Sequence, residues 1–458
     1  MPEPTPNPYR QILGRRFPEP FIALLAFLLG VWLWDHYFSQ KRGFEPGTDQ
    51  VAMVKLDRDF RLAEAMAGDP AWLRWAMGVD MPEAVKHDGG EALLLLDKDR
   101  EFGSGLGPQG GEALIVVLSE QQHTPLLERL RQIPDNGDGE VFPEAYETLV
   151  TRMMEGRGKW WERSILRAYA AERPTGAELP LALKTFDDGS RLLRERTLVS
   201  RGAVWLLVLA GTCFIPTTIR RLLALRGWKD RGYGRGWSAS LGLVVFLAAT
   251  LAWIGFGLAM RAGLMAVKDI PPWMMIALDG AMRFLPALIV MGLLFRRAGH
   301  AVRVMGLNRS PRWPMVLGIF AILGWYEQLV SPLLRGISEL DPSGGLSAGE
   351  EGVGGLAFAL ISACLMAPLA EEIVYRGVLF RTLANRFGLL AGALLSSGAF
   401  ALVHFYNLSG LVSVAVFGFA CALAYSSTRA LSTAVVLHLL YNAAIKLPEW
   451  MVYHAPLH

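Results

Sequence analysis

Nine stretches of this chain are apolar for long enough to cross a bilayer: residues 18–38, 202–219, 237–260, 272–295, 313–334, 354–376, 389–408, 410–427 and 430–447. A hydrocarbon core of about 30 Å takes roughly 20 apolar residues as a helix. Inside it, backbone polar groups must be satisfied within the segment, so uninterrupted runs of this length read as helices. The fold class expected is all-α, a polytopic membrane helix bundle of about nine spans. Composition agrees: 52% of the 458 residues are hydrophobic, 19% are charged and the mean hydropathy is +0.30. That balance disfavours a soluble enzyme. A net charge of +3 without a basic polar domain disfavours a nucleic-acid binder. Cys213, Cys364 and Cys421 all lie in apolar runs, so neither a disulfide framework nor a CxxC-type zinc site is expected from them.

Flanking charge orients the spans. Arg220, Arg221, Arg226, Lys229, Arg231 and Arg235 follow the second run, and Arg296, Arg297, Arg303, Arg309 and Arg312 follow the fourth, which places both loops in the cytoplasm. The N-terminus, with Arg10, Arg15 and Arg16, is then cytoplasmic too. The 335–352 loop, with Glu339, Asp341, Glu350 and Glu351, falls on the opposite side. The first run reads as an uncleaved anchor rather than a signal peptide, because Asp35-His36-Tyr37-Phe38 follows its core where small residues would mark cleavage.

Residues 41–200 carry 21 Lys+Arg against 28 Asp+Glu and form an acidic, mainly helical extracytoplasmic soluble domain between spans one and two. Leu126, Leu127, Leu130 and Ile133 before Pro134–Gly139 illustrate its helical spacing and turn chemistry. Asn136–Val141 matches the middle of an EF-hand loop, but Pro134 and Ala145 stand where the end ligands belong, so an Asx/Gly turn is expected instead. The layout is a membrane anchor (1–40), the acidic domain of unknown role (41–200), accessory transmembrane helices (201–350) and a C-terminal transmembrane core (351–458).

Ionisable groups inside apolar runs are costly unless paired or hydrated, and so point to function. They concentrate near the C-terminus: Glu371, Glu372 and Arg376 in one run, His404 after Phe400 in the next, His438 and Asn442 in the last. Glu372 and Arg376 are i,i+4, the order and spacing of a helical ion pair, whereas Glu371 points about 100° away toward another partner. His438 and Asn442, also i,i+4, share a face. A reversal at Arg386-Phe387-Gly388 sets Glu371 and His404 at the same level of an antiparallel hairpin, about 24 Å from the turn. A polar cavity in the cytoplasmic half of the membrane follows. Asp279 with Arg283, and Glu327, read as structural.

Two carboxylates, two imidazoles and an amide without a nucleophile suit hydrolysis by an activated water. Glu371 and His404 would take the water's proton, and His438 and Asn442 would donate to the oxyanion. A zinc reading uses Glu371, His404 and His438 as three ligands. No HExxH helix is present, so zincin geometry is not expected.

The three motifs, Glu371-Glu372-x-x-x-Arg376, Phe400-x-x-x-His404 and His438-x-x-x-Asn442, resemble in order those of the CPBP family. Its members are CAAX-protease and bacteriocin-processing membrane proteins (ABI or Rce1-type), commonly labelled metalloproteases. The resemblance covers about residues 354–447. It implies an intramembrane endopeptidase that cleaves a membrane or lipid-associated protein or peptide, with catalytic Glu371, His404, His438 and Asn442 supported by Glu372 and Arg376. It leaves the N-terminal anchor and acidic domain unaccounted for; 41–200 would select substrates or bind an extracytoplasmic partner. The layout looks like that of a bacterial inner-membrane protein. A second class stays open, a non-proteolytic scaffold, immunity factor or partner-binding regulator of the same fold. A proton-coupled transporter would need paired inverted repeats, and none is visible.

Overall fold

The computed structural model describes residues 18–38, 47–98, 108–121, 126, 128, 141–172, 178–225, 236–264, 272–295, 298–347 and 349–457. These residues are 84% helix with no strand. In chain order the helices are α1 (Glu19–Phe38), α2 (Thr48–Ala65), α3 (Ala71–Met77), α4 (Pro82–Lys98), α5 (Pro108–Gln121), α6 (Val141–Met154), α7 (Trp160–Glu172), α8 (Glu178–Thr212) and α9 (Ile215–Leu223). They continue as α10 (Ala239–Leu264), α11 (Pro272–Leu294), α12 (Ala298–Met305), α13 (Trp313–Leu329), α14 (Ser331–Arg335), α15 (Gly352–Phe387), α16 (Leu389–Leu402), α17 (Leu408–Thr428) and α18 (Leu431–His454). The Pro134–Gly139 turn, residues 136–140 of the Asn136–Val141 loop and several of the orienting cations, Arg226 and Arg296 among them, lie outside the described residues.

Each of the nine apolar runs is helical, but they are not nine equivalent spans. Six described helices are long and apolar enough to cross a bilayer: α1, α10, α11, α15, α17 and α18. The pair α8–α9, bent by 54° at a short break, raises the number to seven. The run at 313–334 is divided between the 17-residue α13 and the short α14, and α16 has only 14 residues. Apolar character alone measures these runs too long, because it ignores where the backbone breaks.

The chain forms two compact units. The first comprises residues 1–40, 204–339 and 357–446, and the second 41–203, 340–356 and 447–458. The core of the first is a continuous cluster that includes Val245, Val290, Phe320, Val378, Phe400, Phe417, Tyr425 and Leu437. In lipid, burying apolar surface gains little, so helices associate by close packing along small residues. α16 follows that rule: Gly392, Ala393, Ser396 and Ser397 are buried while Leu394 and Leu395 face outward. α15 meets α16 through a reversal at Gly388, whose φ of 88° and ψ of 165° are essentially restricted to glycine. The hairpin expected there is present.

The core of the second unit holds Phe60, Leu93, Val116, Trp160, Trp161 and Leu166, all 1% exposed or less. Phe60 stacks on Trp160 with ring centroids 3.9 Å apart. Beside them lies a buried ion pair. Arg61 donates to Asp57 at 3.1 Å, Trp160 N–H donates to the same carboxylate at 2.7 Å, and the Arg61 guanidinium covers the Phe186 ring at 3.7 Å. Burial pushes the Asp57 carboxyl up. Arg61, Lys159, Arg58 and the Trp160 amide outweigh it and hold Asp57 below the usual carboxylate range.

Candidate active site

α15 is an unusual helix. Over Leu360–Met366 and again over Glu372–Phe380 its hydrogen bonding widens to i→i+5, a form that is costly and recurs at functional sites. Glu371 closes the short α-helical stretch between the two. Glu372 opens the second wide segment and is fully buried, as is Arg376. Arg376 Nη1 donates to Glu372 Oε1 at 2.9 Å, the ion pair that the spacing predicted. Its guanidinium also lies 4.3 Å from the centroid of Phe400. Gly418 on α17 leaves room for this, since a Cβ there would come within 2.9 Å of Arg376 Nη2.

His438, on α18, enters between the carboxylates. Its Nδ1 lies 2.9 Å from Glu372 Oε1 and its Nε2 3.8 Å from Glu371 Oε2. A carboxylate accepts, so Nδ1 carries the proton donated to Glu372. The ring is held edge-on by Phe417 at 4.7 Å and Phe400 at 6.1 Å. Asn442, one turn further along, donates from Nδ2 to the carbonyl of Ala363 at 2.6 Å, inside the first wide segment of α15.

His404 sits just beyond the end of α16, and its Nδ1 lies 2.7 Å from the carbonyl of Phe400. A carbonyl only accepts, so Nδ1 bears a hydrogen, and in the neutral ring the lone pair is then on Nε2, the form that acts as a base. Glu371 and His404 make no direct hydrogen bond or ion pair. Both belong to the same aromatic-lined cluster, because Phe400 contacts the rings of His404 and His438 and the Arg376 guanidinium.

Two residues read as structural reach this site. Arg283 on α11 donates from Nε to Asp279 at 2.8 Å and from Nη1 to Glu371 Oε1 at 3.4 Å, and Ser362 Oγ–H donates to Asp279 at 2.6 Å. The partner Glu371 needed is therefore a guanidinium from another span. Its i,i+4 pairing with Asp279 was visible in the sequence, but the inter-helix contact was not. Three carboxylates, Asp279, Glu371 and Glu372, thus share the site with two guanidiniums, Arg283 and Arg376. Glu327 is engaged separately, by the Tyr441 hydroxyl at 2.9 Å.

A shared ion needs donor atoms brought within a few ångströms of each other. Glu371, His404 and His438 do not form such a group among the described residues. The group that does, Glu350, Glu449 and His454, lies outside the three motifs, and each of its members also interacts with other groups. Of the three motif residues, Glu371 and His438 approach each other, with Oε2 and Nε2 3.8 Å apart.

The class these features define is a helical integral membrane protein with a glutamate–histidine site between its spans. Residues 353–444 match the family described as Type II CAAX prenyl endopeptidase Rce1-like, in accord with the CPBP/CAAX-protease resemblance of the motifs. The match covers about a fifth of the chain, and the family it names is one of CAAX-protease-type membrane endopeptidases. All of Glu371, Glu372, Arg376, His404, His438 and Asn442 fall within the match. No curated protein and no solved structure matches the chain.

Proposed function

We propose that the chain is an intramembrane endopeptidase that hydrolyses a peptide bond of a membrane or lipid-associated substrate with a water activated by Glu371 and His404. The observation that carries this reading is the convergence of Glu371, Glu372 and His438 from two spans, with His404 held as a base against the same phenylalanine. A direct Glu371–His404 bond is absent, and a water between two acceptors, the carboxylate and Nε2, can be oriented by both. Attack forms the C–O bond while one water proton passes to this pair. The oxyanion on the former carbonyl receives hydrogen bonds from Nε2–H of a doubly protonated His438 and from the second Nδ2–H of Asn442. Collapse breaks the C–N bond, and the proton held by the base goes to the leaving amine. Arg283 orients Glu371, and Glu372 with Arg376 orients His438.

In this reading the N-terminus is cytoplasmic in a bacterial plasma membrane, residues 41–200 form an extracytoplasmic domain that selects substrates or binds a partner, and residues 351–458 hold the catalytic core. The test compares membrane proteomes of cells with wild-type protein, Glu371→Ala at matched expression, and no protein. New peptide termini are expected with wild type alone. If Glu371→Ala and wild type behave alike while the deletion differs, the protein acts as a non-proteolytic scaffold or regulator and the proposal fails.

A further inference from the structure

His404 lies two residues after Leu402, the last residue of α16, and precedes a residue in an unfavourable conformation. Phe405 has a φ of 54°, one of two non-glycine residues with positive φ among the described residues, the other being Arg429. An aromatic side chain in left-handed backbone persists only where its surroundings fix it. The end of α1 supplies that fixing. His36 packs on the Phe405 ring with centroids 3.7 Å apart, Trp32 meets it edge-on at 4.9 Å, and Tyr37 lies at 5.5 Å. Tyr37 Oη–H also donates to the carbonyl of Leu402 at 2.7 Å, a helix-terminal carbonyl of α16 that has no further turn to receive it. Trp32 in turn is edge-on to Trp253 of α10 at 6.2 Å, which anchors the contact to the bundle.

A hydrogen bond and a set of ring contacts thus bracket His404: Tyr37 holds the residue two before it, and His36 with Trp32 packs on the residue after it. The imidazole's own tie, to the Phe400 carbonyl, sets its tautomer but not the path of the loop. α1 lies outside the segment matched by the family. We propose that the C-terminal turn of α1 is a positioning element for His404, a clamp that makes the N-terminal helix part of the peptidase machinery and not only an anchor. Tyr37, His36 and Trp32 are its positioning residues. The inference rests on the role given to His404 above.

The test is the rate at which diethyl pyrocarbonate modifies His404, read by mass spectrometry on the full chain in lipid nanodiscs, with His438 as internal reference. It needs no peptidase activity, so it separates from the proteome comparison: termini insensitive to Glu371→Ala would remove the catalytic reading while leaving this measurement standing. In the Trp32→Ala/His36→Ala protein, loss of the aromatic contacts is expected to raise the His404-to-His438 labelling ratio about fivefold. Tyr37→Phe, which deletes a single oxygen and keeps the ring, is expected to raise it about twofold through the lost hydrogen bond. His36→Phe, which keeps a ring against Phe405, is expected to return the ratio to the wild-type value. An unchanged ratio in both Tyr37→Phe and the double variant overturns the proposal. So does a parallel rise of His404 and His438 labelling, because general loosening of the bundle is not positioning.

Discussion

The Arg376 side chain offers the sharpest perturbation of the site. Arg376→Ala removes the guanidinium that donates to Glu372 at 2.9 Å and covers Phe400 at 4.3 Å, and both carboxylate and guanidinium are 1% exposed or less. Removing one member of a buried pair leaves the other charged and desolvated, a loss of about 3–5 kcal/mol. The cation–π contact adds about 1 kcal/mol. Glu371→Gln should behave differently. Its carboxylate is 21% exposed, and its partners Arg283 and His438 stand at 3.4 and 3.8 Å, so the cost is about 1 kcal/mol or less. The assay is thermal unfolding in detergent, with both proteins prepared identically. The expected order is wild type close to Glu371→Gln, with Arg376→Ala lower by several degrees. A double variant, Glu372→Gln/Arg376→Met, removes both charges while keeping their volume and should recover most of the loss, since no unpaired charge remains. If Arg376→Ala melts with wild type, or the double variant is no better than Arg376→Ala, the buried pair is not what stabilises this cluster.

Two other outcomes follow from the structure. Asp57 titrates below its unfolded value of about 3.9, so its contribution is present above that pH and is lost as pH falls through the folded value. The stability deficit of Asp57→Asn, measured by thermal unfolding of the full chain, should therefore be largest near pH 7 and shrink below about pH 4; a deficit constant down to pH 3 would contradict the assignment. Gly388→Ala places a Cβ on a residue with φ 88° and ψ 165° and should cost about 1–3 kcal/mol, read as a lowered melting temperature with the α15–α16 hairpin more open to proteolysis.

Features set by local spacing were legible in the sequence. The i,i+4 rule gave the Glu372–Arg376 pair, and glycine's conformational freedom gave the reversal at Gly388. Features set by packing between distant segments were not. His438 turns out to bond Glu372 directly, and Arg283 to reach Glu371 across from α11, because nothing in a helical period tells which face of one span meets which face of another. Where the backbone breaks within an apolar run was not legible either: α16 has 14 residues, and its buried side is a small-residue seam. No signal short of a structure announced the contact of Tyr37 and His36 with the loop at Phe405, more than 360 residues away in sequence.

The wide turns of α15 bear on how this helix tolerates change in length. An i→i+5 step holds one residue more than an α-turn, so it shifts the angular phase of everything beyond it by about 100°. In α15 the α-helical stretch before the second wide segment is phased to turn Glu371 toward Arg283, and the wide segment itself carries Arg376 onto Phe400. Deleting a single residue between Glu372 and Phe380 would close the wide segment into ordinary α-helix and keep the span, its hydropathy and its ion-pair residues, while rotating one set of groups out of mesh with the other. The spacing of Glu371 from Arg376 along the chain is thus a mechanical setting as well as a motif.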